Sequence, residues 1–152
     1  MKLTMSSEMG IHAVWFLAAL NSEAPVLSSL IAERIDVSES YVIKVLKRLV
    51  EARILVSRKG KKGGYRMHKL PADVSLADII LACETDEVLY SCLCTERGCE
   101  EHRQICPITD AMKRAENAMY AELRATTVAD LVAFEWPAAK SESGSDCEAK
   151  EV

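Results

Sequence analysis

The residues best equipped for chemistry in this chain are its cysteines. Four of the six, Cys92, Cys94, Cys99 and Cys106, fall in one short window. Crowded thiols point to metal ligation or redox chemistry more than to packing, because a thiolate is both a strong ligand and a reactive nucleophile. The spacing Cys94-x4-Cys99-x6-Cys106 offers three thiolates on a stretch that includes Gly98. Cys92 offers the alternative Cys92-x6-Cys99-x6-Cys106. Three thiolates suit an iron–sulfur cluster, in which a nitrogen or oxygen donor stands in for a missing sulfur in some centres. His102, in the same window, is one such donor. Structural zinc would take the same thiolates, but no C-x2-C pair favours it. The plain alternative is a set of buried or spare thiols near a helix start. Cys83 stands in an apolar helical pattern and reads as core, whereas Cys147 lies in a polar tail and reads as a bystander.

A disulfide framework is not expected. The opening MKLTMSSEMG lacks the apolar region and small-residue cleavage site of a secretory signal, and no apolar run approaches the length that spans a bilayer. The expected location is the cytoplasm, where thiols stay reduced. A thiol enzyme would need a C-x-x-C or a Cys–His pair beside a substrate pocket. The sequence presents no such set, so no catalytic residue is expected.

The elements that must position these thiols are mainly helical. Pro107 follows Cys106 directly and suits the first turn of a long helix. Ile108, Ala111, Met112, Ala115, Met119 and Leu123 form its apolar stripe. Ile108, Met112, Ala115 and Met119 are too apolar for a solvated face, so this helix is expected to pack on a second copy about a two-fold axis. A short helix follows over 128–134. From 137 onward the Ala, Ser, Gly, Glu and Lys composition predicts a disordered tail.

Upstream, Ile11, Val14, Trp15, Leu17, Ala18 and Ala19 give a broad helical stripe over 7–20. Asn21 to Pro25 breaks it. A second helix starts near Ser28, read as its N-cap, with Leu30, Ile31 and Ile35 inward. Asp36-Val37-Ser38 forms a short turn, and Ser38 is expected to cap a third helix that turns Val42, Val45, Leu46 and Leu49 inward. Two short helices joined this way make a helix-turn-helix. Ile54-Leu55-Val56-Ser57 and Tyr65-Arg66-Met67-His68 read as hairpin strands around a basic, glycine-bearing tip. Residues 75–84 read as a helix capped by Ser75.

Charge divides along the chain. The net charge is −4, but residues 1–69 carry 12 Lys and Arg against 6 Asp and Glu, while the remainder carries 7 against 17. A basic module joined to an acidic one is the electrostatic footprint of nucleic-acid binding. The third helix offers Glu39, Ser40, Tyr41, Lys44, Lys47 and Arg48. Ser38, Ser40 and Tyr41 near its start suit phosphate or base contacts. Lys44 and Arg48, four residues apart, share a face. Arg58, Lys59, Lys61, Lys62 and Tyr65 of the hairpin complete the expected DNA-contacting set.

Three motifs in order carry a resemblance. Met1-Lys2-Leu3-Thr4, the run from Asp36-Val37-Ser38-Glu39-Ser40-Tyr41 to Lys47-Arg48-Leu49, and Gly60-Lys61-Lys62-Gly63-Gly64-Tyr65 resemble the signatures of IscR/NsrR/RirA-type winged-helix transcription regulators. That family also includes CymR, which lacks a cluster. The resemblance covers about residues 1–135. It implies a homodimer joined by the helix after Pro107, with both wings and both DNA-reading helices on one face. It also implies three loop cysteines as cluster ligands, with a variable fourth ligand. Where IscR has a His three residues after the third Cys, this chain has Thr109, so that ligand set does not carry over. NsrR-like proteins can use an N-terminal carboxylate of the other subunit, and Glu8 stands at the matching place. A redox-sensing relative uses a Glu and a His four apart, matched here by Glu8 and His12.

These readings give a mainly α chain with a small β-hairpin wing. A winged helix-turn-helix DNA-binding domain is expected over 1–84, a cysteine-rich cluster-binding loop over 85–106, dimerisation helices over 107–136 and the tail over 137–152. The expected function is transcriptional regulation, as a repressor, at a roughly palindromic operator. A two-iron or four-iron cluster on Cys94, Cys99, Cys106 and Glu8 or His12 would tune affinity in response to iron, redox state or nitric oxide, and would be lost in aerobic preparation. The alternative is a cluster-free repressor controlled by a protein or small-molecule partner.

Overall fold

The first helix, α1 (Met5–Leu20), is apolar on several sides, and the fold is built around it. In the computed structural model, which describes residues 4–60, 63–84 and 106–134, α2 (Ser28–Ile35) and α3 (Glu39–Glu51) follow. The hairpin β1 (Leu55–Arg58) and β2 (Gly64–Met67), a 3-10 turn (Pro71–Asp73) and α4 (Leu76–Cys83) come next. The described chain ends with α5 (Pro107–Ala125) and α6 (Val128–Ala133). The tip residues Lys61 and Lys62, the window holding Cys92, Cys94, Cys99 and His102, and the tail with Cys147 lie outside the described residues.

α1 packs against α2, α3, α4, α6 and β2. A helix covered on several sides needs apolar residues around most of its circumference, which is why its stripe is so broad. Met9, Val14 and Leu17 of α1 share one buried cluster with Ile31, Val42, Leu46, Leu49, Leu55, Ile79 and Val128. The presence of Val128 means that α6 returns to seal the core formed by the N-terminal helices. Cys83 is buried in the same cluster, as its apolar setting predicts.

Local chemistry sets the helix starts. Ser75 caps α4 as expected: its hydroxyl accepts from the Asp78 N–H at 3.2 Å, and Asp78 accepts from the Ser75 N–H at 2.9 Å. Thr127 and Asp130 repeat this capping box at α6. The two starts are stitched together, Leu76 N–H donating to Thr126 O at 3.0 Å and Val128 N–H to Val74 O at 2.9 Å. Each such cap stabilises its helix by about 1 kcal/mol.

Ser28 and Ser38 differ from expectation. Neither side chain makes a cap hydrogen bond. Ser28 is the first residue of α2, and its hydroxyl donates to Glu39 Oε1 at 2.6 Å. A charged carboxylate is the stronger partner for a hydroxyl, so this bond ties α2 to α3 in place of a cap. Ser38 occupies the position before α3, but its hydroxyl lies 3.5 Å from Ser40 Oγ.

The hairpin pairs antiparallel, Leu55 opposite Met67 and Arg58 opposite Gly64, one residue later in β1 and one earlier in β2 than the pattern suggested. Gly64 sets this register. Its φ of +142° is strained for any side chain, and a Cβ there would strike the Val26 backbone. The close approach lets Val26 and Tyr65 exchange two backbone hydrogen bonds, at 2.9 and 2.8 Å, pinning the wing to the segment before α2.

A close helix contact falls at Gly10. A Cβ there would lie 2.6 Å from Cys83 Sγ and 3.3 Å from Ile79 Cγ2. Overpacking of this kind costs about 1–3 kcal/mol, more than the ~1 kcal/mol that alanine gains over glycine in a helix. Gly10→Ala is therefore expected to lower unfolding free energy in urea under reducing conditions. Cys83→Ala in the same chain should recover part of the loss. A Gly10→Ala protein more stable than wild type would show that the helices are not this close.

Candidate functional site

Two sets of residues stand out: a basic surface formed by α3 and the wing, and the groups around the cysteine window. On α3, Ser38, Ser40, Lys44 and Lys47 are exposed. Tyr41 is half-buried, and its hydroxyl lies 2.9 Å from Ser6 Oγ, tying the start of α3 to α1. Tyr65 is likewise half-buried against the core, and burial raises its pKa. Arg58 and Lys59 are exposed on the wing.

Arg48 does not join Lys44 on an open face. It is half-buried, and its guanidinium donates to the carbonyl of Cys83 at the end of α4. The last carbonyls of a helix carry partial negative charge and lack partners within it, so they attract a cation within reach. Lys47, the residue before it, is exposed. With Arg58 and Lys59 it lines a groove of about 640 Å³ between α3 and the wing. Lys47 was visible in the sequence as one of three basic residues on the helix. Nothing local distinguished it from Arg48, because the acceptor that withdraws Arg48 lies 35 residues away.

Of the cysteine window, the described part is its last residue. Cys106 is partly exposed directly before α5. The Thr109 N–H lowers its thiol pKa most, followed by the Thr109 hydroxyl and the Ile108 N–H. These are favourable dipole contacts with a thiolate rather than a full capping hydrogen bond. Glu8 and His12 are both exposed, one turn apart on α1. Among the described residues no three His, Cys, Asp or Glu side chains stand close enough to hold a metal. Those donors nevertheless fit a cluster chemically: a thiol inclined to ionise, an open carboxylate and an open imidazole are all competent ligands. Cys83 is not one of them. Burial pushes its thiol up to about 11, with Arg48 lowering it and Glu84 raising it to a lesser extent.

A polar junction joins α1, α3 and α4. Glu84 Oε1 accepts from the Ser7 hydroxyl, from Thr4 Oγ1 at 2.9 Å and from the Thr4 N–H at 3.4 Å. Burial raises the Glu84 pKa, but the Ser7 and Thr4 hydrogen bonds and the Arg48 charge together hold it below its ordinary value. Ser7 is fully buried. No local pattern announces this junction, whose partners are up to 80 residues apart.

A helix-turn-helix with a basic hairpin beside its second helix defines a winged-helix regulator of transcription. Residues 3–134 match the Rrf2 family, described as an iron-dependent transcriptional regulator, and the chain belongs to that family. It is 32% identical over 132 residues to the protein rrf2 of Nitratidesulfovibrio vulgaris, covering 87% of both chains. Its fold matches CymR, the global cysteine regulator of B. subtilis, with a TM-score of 0.67 and 25% identity over 87% of this chain and 96% of that one. IscR of T. potens matches in fold, with a TM-score of 0.68 and 24% identity, covering 87% of this chain and 86% of that one. These relatives are regulators of transcription, not enzymes. No described helix is long and apolar enough to cross a membrane.

The basic groove leads to a salt-dependent expectation. The double variant Lys47→Ala, Lys59→Ala should bind every duplex more weakly. The slope of log affinity against log salt should flatten by about one for each phosphate contact removed. Arg48→Met should leave that slope unchanged, since its guanidinium is engaged by α4. A wild-type slope in the Lys47, Lys59 variant would move the DNA surface elsewhere.

Proposed function

We propose that the chain acts as a homodimer on a roughly palindromic operator. An iron–sulfur cluster on Cys94, Cys99 and Cys106, completed by Glu8 or His12 of the partner subunit, sets its affinity. Cys106 carries this reading. It is a thiol inclined to ionise, at the mouth of a window containing three more, in a family described as iron-dependent. Cys92 is the alternative thiolate.

Support for the dimer comes from α5. Ile108 is 64% and Met112 41% exposed in the single chain, Ala115 is also exposed, and Met119 is half-buried. An apolar stripe left open on a long helix is what a second copy would cover. In a two-fold dimer each α3 and wing faces one half-site, with Ser38, Ser40, Lys44, Lys47, Arg58, Lys59, Lys61 and Lys62 available to phosphates and base edges. Tyr41 and Tyr65 act from half-buried positions, bracing α3 and the wing.

A bound cluster supplies a centre that responds to iron supply, oxidants or nitric oxide. The protein's part is to hold it with ligands of unequal grip. Cys106 is pre-disposed to thiolate by the start of α5, whereas an oxygen or nitrogen donor from Glu8 or His12 exchanges more readily. That inequality suits a sensor better than an electron carrier.

Anaerobic reconstitution with iron and sulfide tests the reading. Wild type should gain a visible charge-transfer absorption and bind both elements. Cys99→Ala and Cys106→Ala should fall to background, Cys147→Ala should match wild type, and Glu8→Ala or His12→Ala should alter the spectrum. Equal iron in wild type and all loop-cysteine variants would place the site elsewhere. No iron in wild type would leave the cluster-free regulator, under a protein or small-molecule effector.

A further inference from the structure

Besides the Ser6–Tyr41 tie, the first turn of α1 and the last turn of α3 meet at the end of α4. On one side, Ser7 and Thr4 donate to the Glu84 carboxylate. On the other, Arg48 of α3 donates to the carbonyl of Cys83, the residue before Glu84. The link is backed by packing. At Gly10 the α1 backbone lies so close to Cys83 and Ile79 of α4 that a methyl group would not fit, and Val45 of α3 sits at the same spot. Ser7 is fully buried, so its hydroxyl has no water to turn to if Glu84 moves away. Arg48 is half-buried and directed inward on a helix whose lysines face out.

We propose that Glu84 and Arg48 are positioning residues that couple the ligand-bearing turn of α1 to the DNA-reading helix α3. Glu8 follows Ser7 directly, so a change in what Glu8 holds reaches Ser7 through one peptide bond. From Ser7 it passes to Glu84, to the Cys83 carbonyl and, through Arg48, to α3. Packed helices shift as units rather than deforming continuously, so a small displacement at Ser7 moves the end of α3. This rests on the reading of Glu8 and the window as the sensing site. The link itself requires only the described contacts.

The test uses the full chain in two forms, loaded with iron and sulfide and stripped by a chelator. Each is titrated with a duplex selected from a random pool by the wild-type protein. Wild type should show different affinities in the two forms. Arg48→Met and Glu84→Gln should keep the bound iron and narrow that ratio about fivefold or more, the usual scale of coupling between sites. Arg48→Lys, which keeps a charged donor, should restore part of the ratio. An unchanged ratio overturns the proposal, and so does equal weakening of both forms, which would mark Arg48 as a simple phosphate contact.

A second measurement stands apart from the cluster. In stripped protein, Ser7→Ala should raise amide hydrogen exchange in α3, and should raise it less when Arg48→Met is already present. If wild type binds no iron, the sensing reading fails while this cycle still judges the link. If Ser7→Ala leaves α3 exchange unchanged, the link fails whatever the iron content.

Discussion

At Gly10 the backbone of α1 meets α4 and α3 with no room for a side chain, and the rest of the molecule is arranged around that contact. Close approach buries the apolar sides of three helices together. It also brings the start of α1, the end of α4 and the end of α3 within hydrogen-bonding reach of one another. The second helix of the helix-turn-helix, α3, is therefore not a free arm. It is part of the same packed unit as the turn that carries Glu8.

Electrostatics then sorts the basic residues into two settings. Lys47, Arg58 and Lys59 line an open groove between α3 and the wing, where positive charge is free to meet an anion. Arg48, one residue after Lys47, is drawn inward by the carbonyl end of α4. The same helix thus presents charge to solvent on one side and supplies a structural cation on the other. The acidic side chain of Glu84 completes the junction by accepting from Ser7 and Thr4, so that the buried hydroxyl is satisfied.

Much of the fold was legible because it is encoded locally. Ser75 announces a helix cap, and Pro107 announces the start of a helix. The glycine-bearing basic tip announces a hairpin. Expectation and geometry diverge where a side chain has a distant partner. The Ser28 hydroxyl donates to Glu39 instead of capping α2, and the Arg48 guanidinium donates to the Cys83 carbonyl instead of sharing the open face of Lys44. Register in the wing depends on Val26, which no hairpin pattern includes. Of the candidate cluster ligands among the described residues, the Cys106 thiol is disposed to ionise, and Glu8 and His12 are exposed one turn apart on α1.

In the proposed regulator, the thiol site and the winged-helix head meet at one packed junction, and the state of the site sets DNA affinity. Visible absorption and the fluorescence anisotropy of one labelled duplex can be followed in the same anaerobic cuvette while a chelator removes iron. The two signals should change together, with a shared midpoint. Loss of the visible absorption with anisotropy unchanged throughout would contradict that coupling.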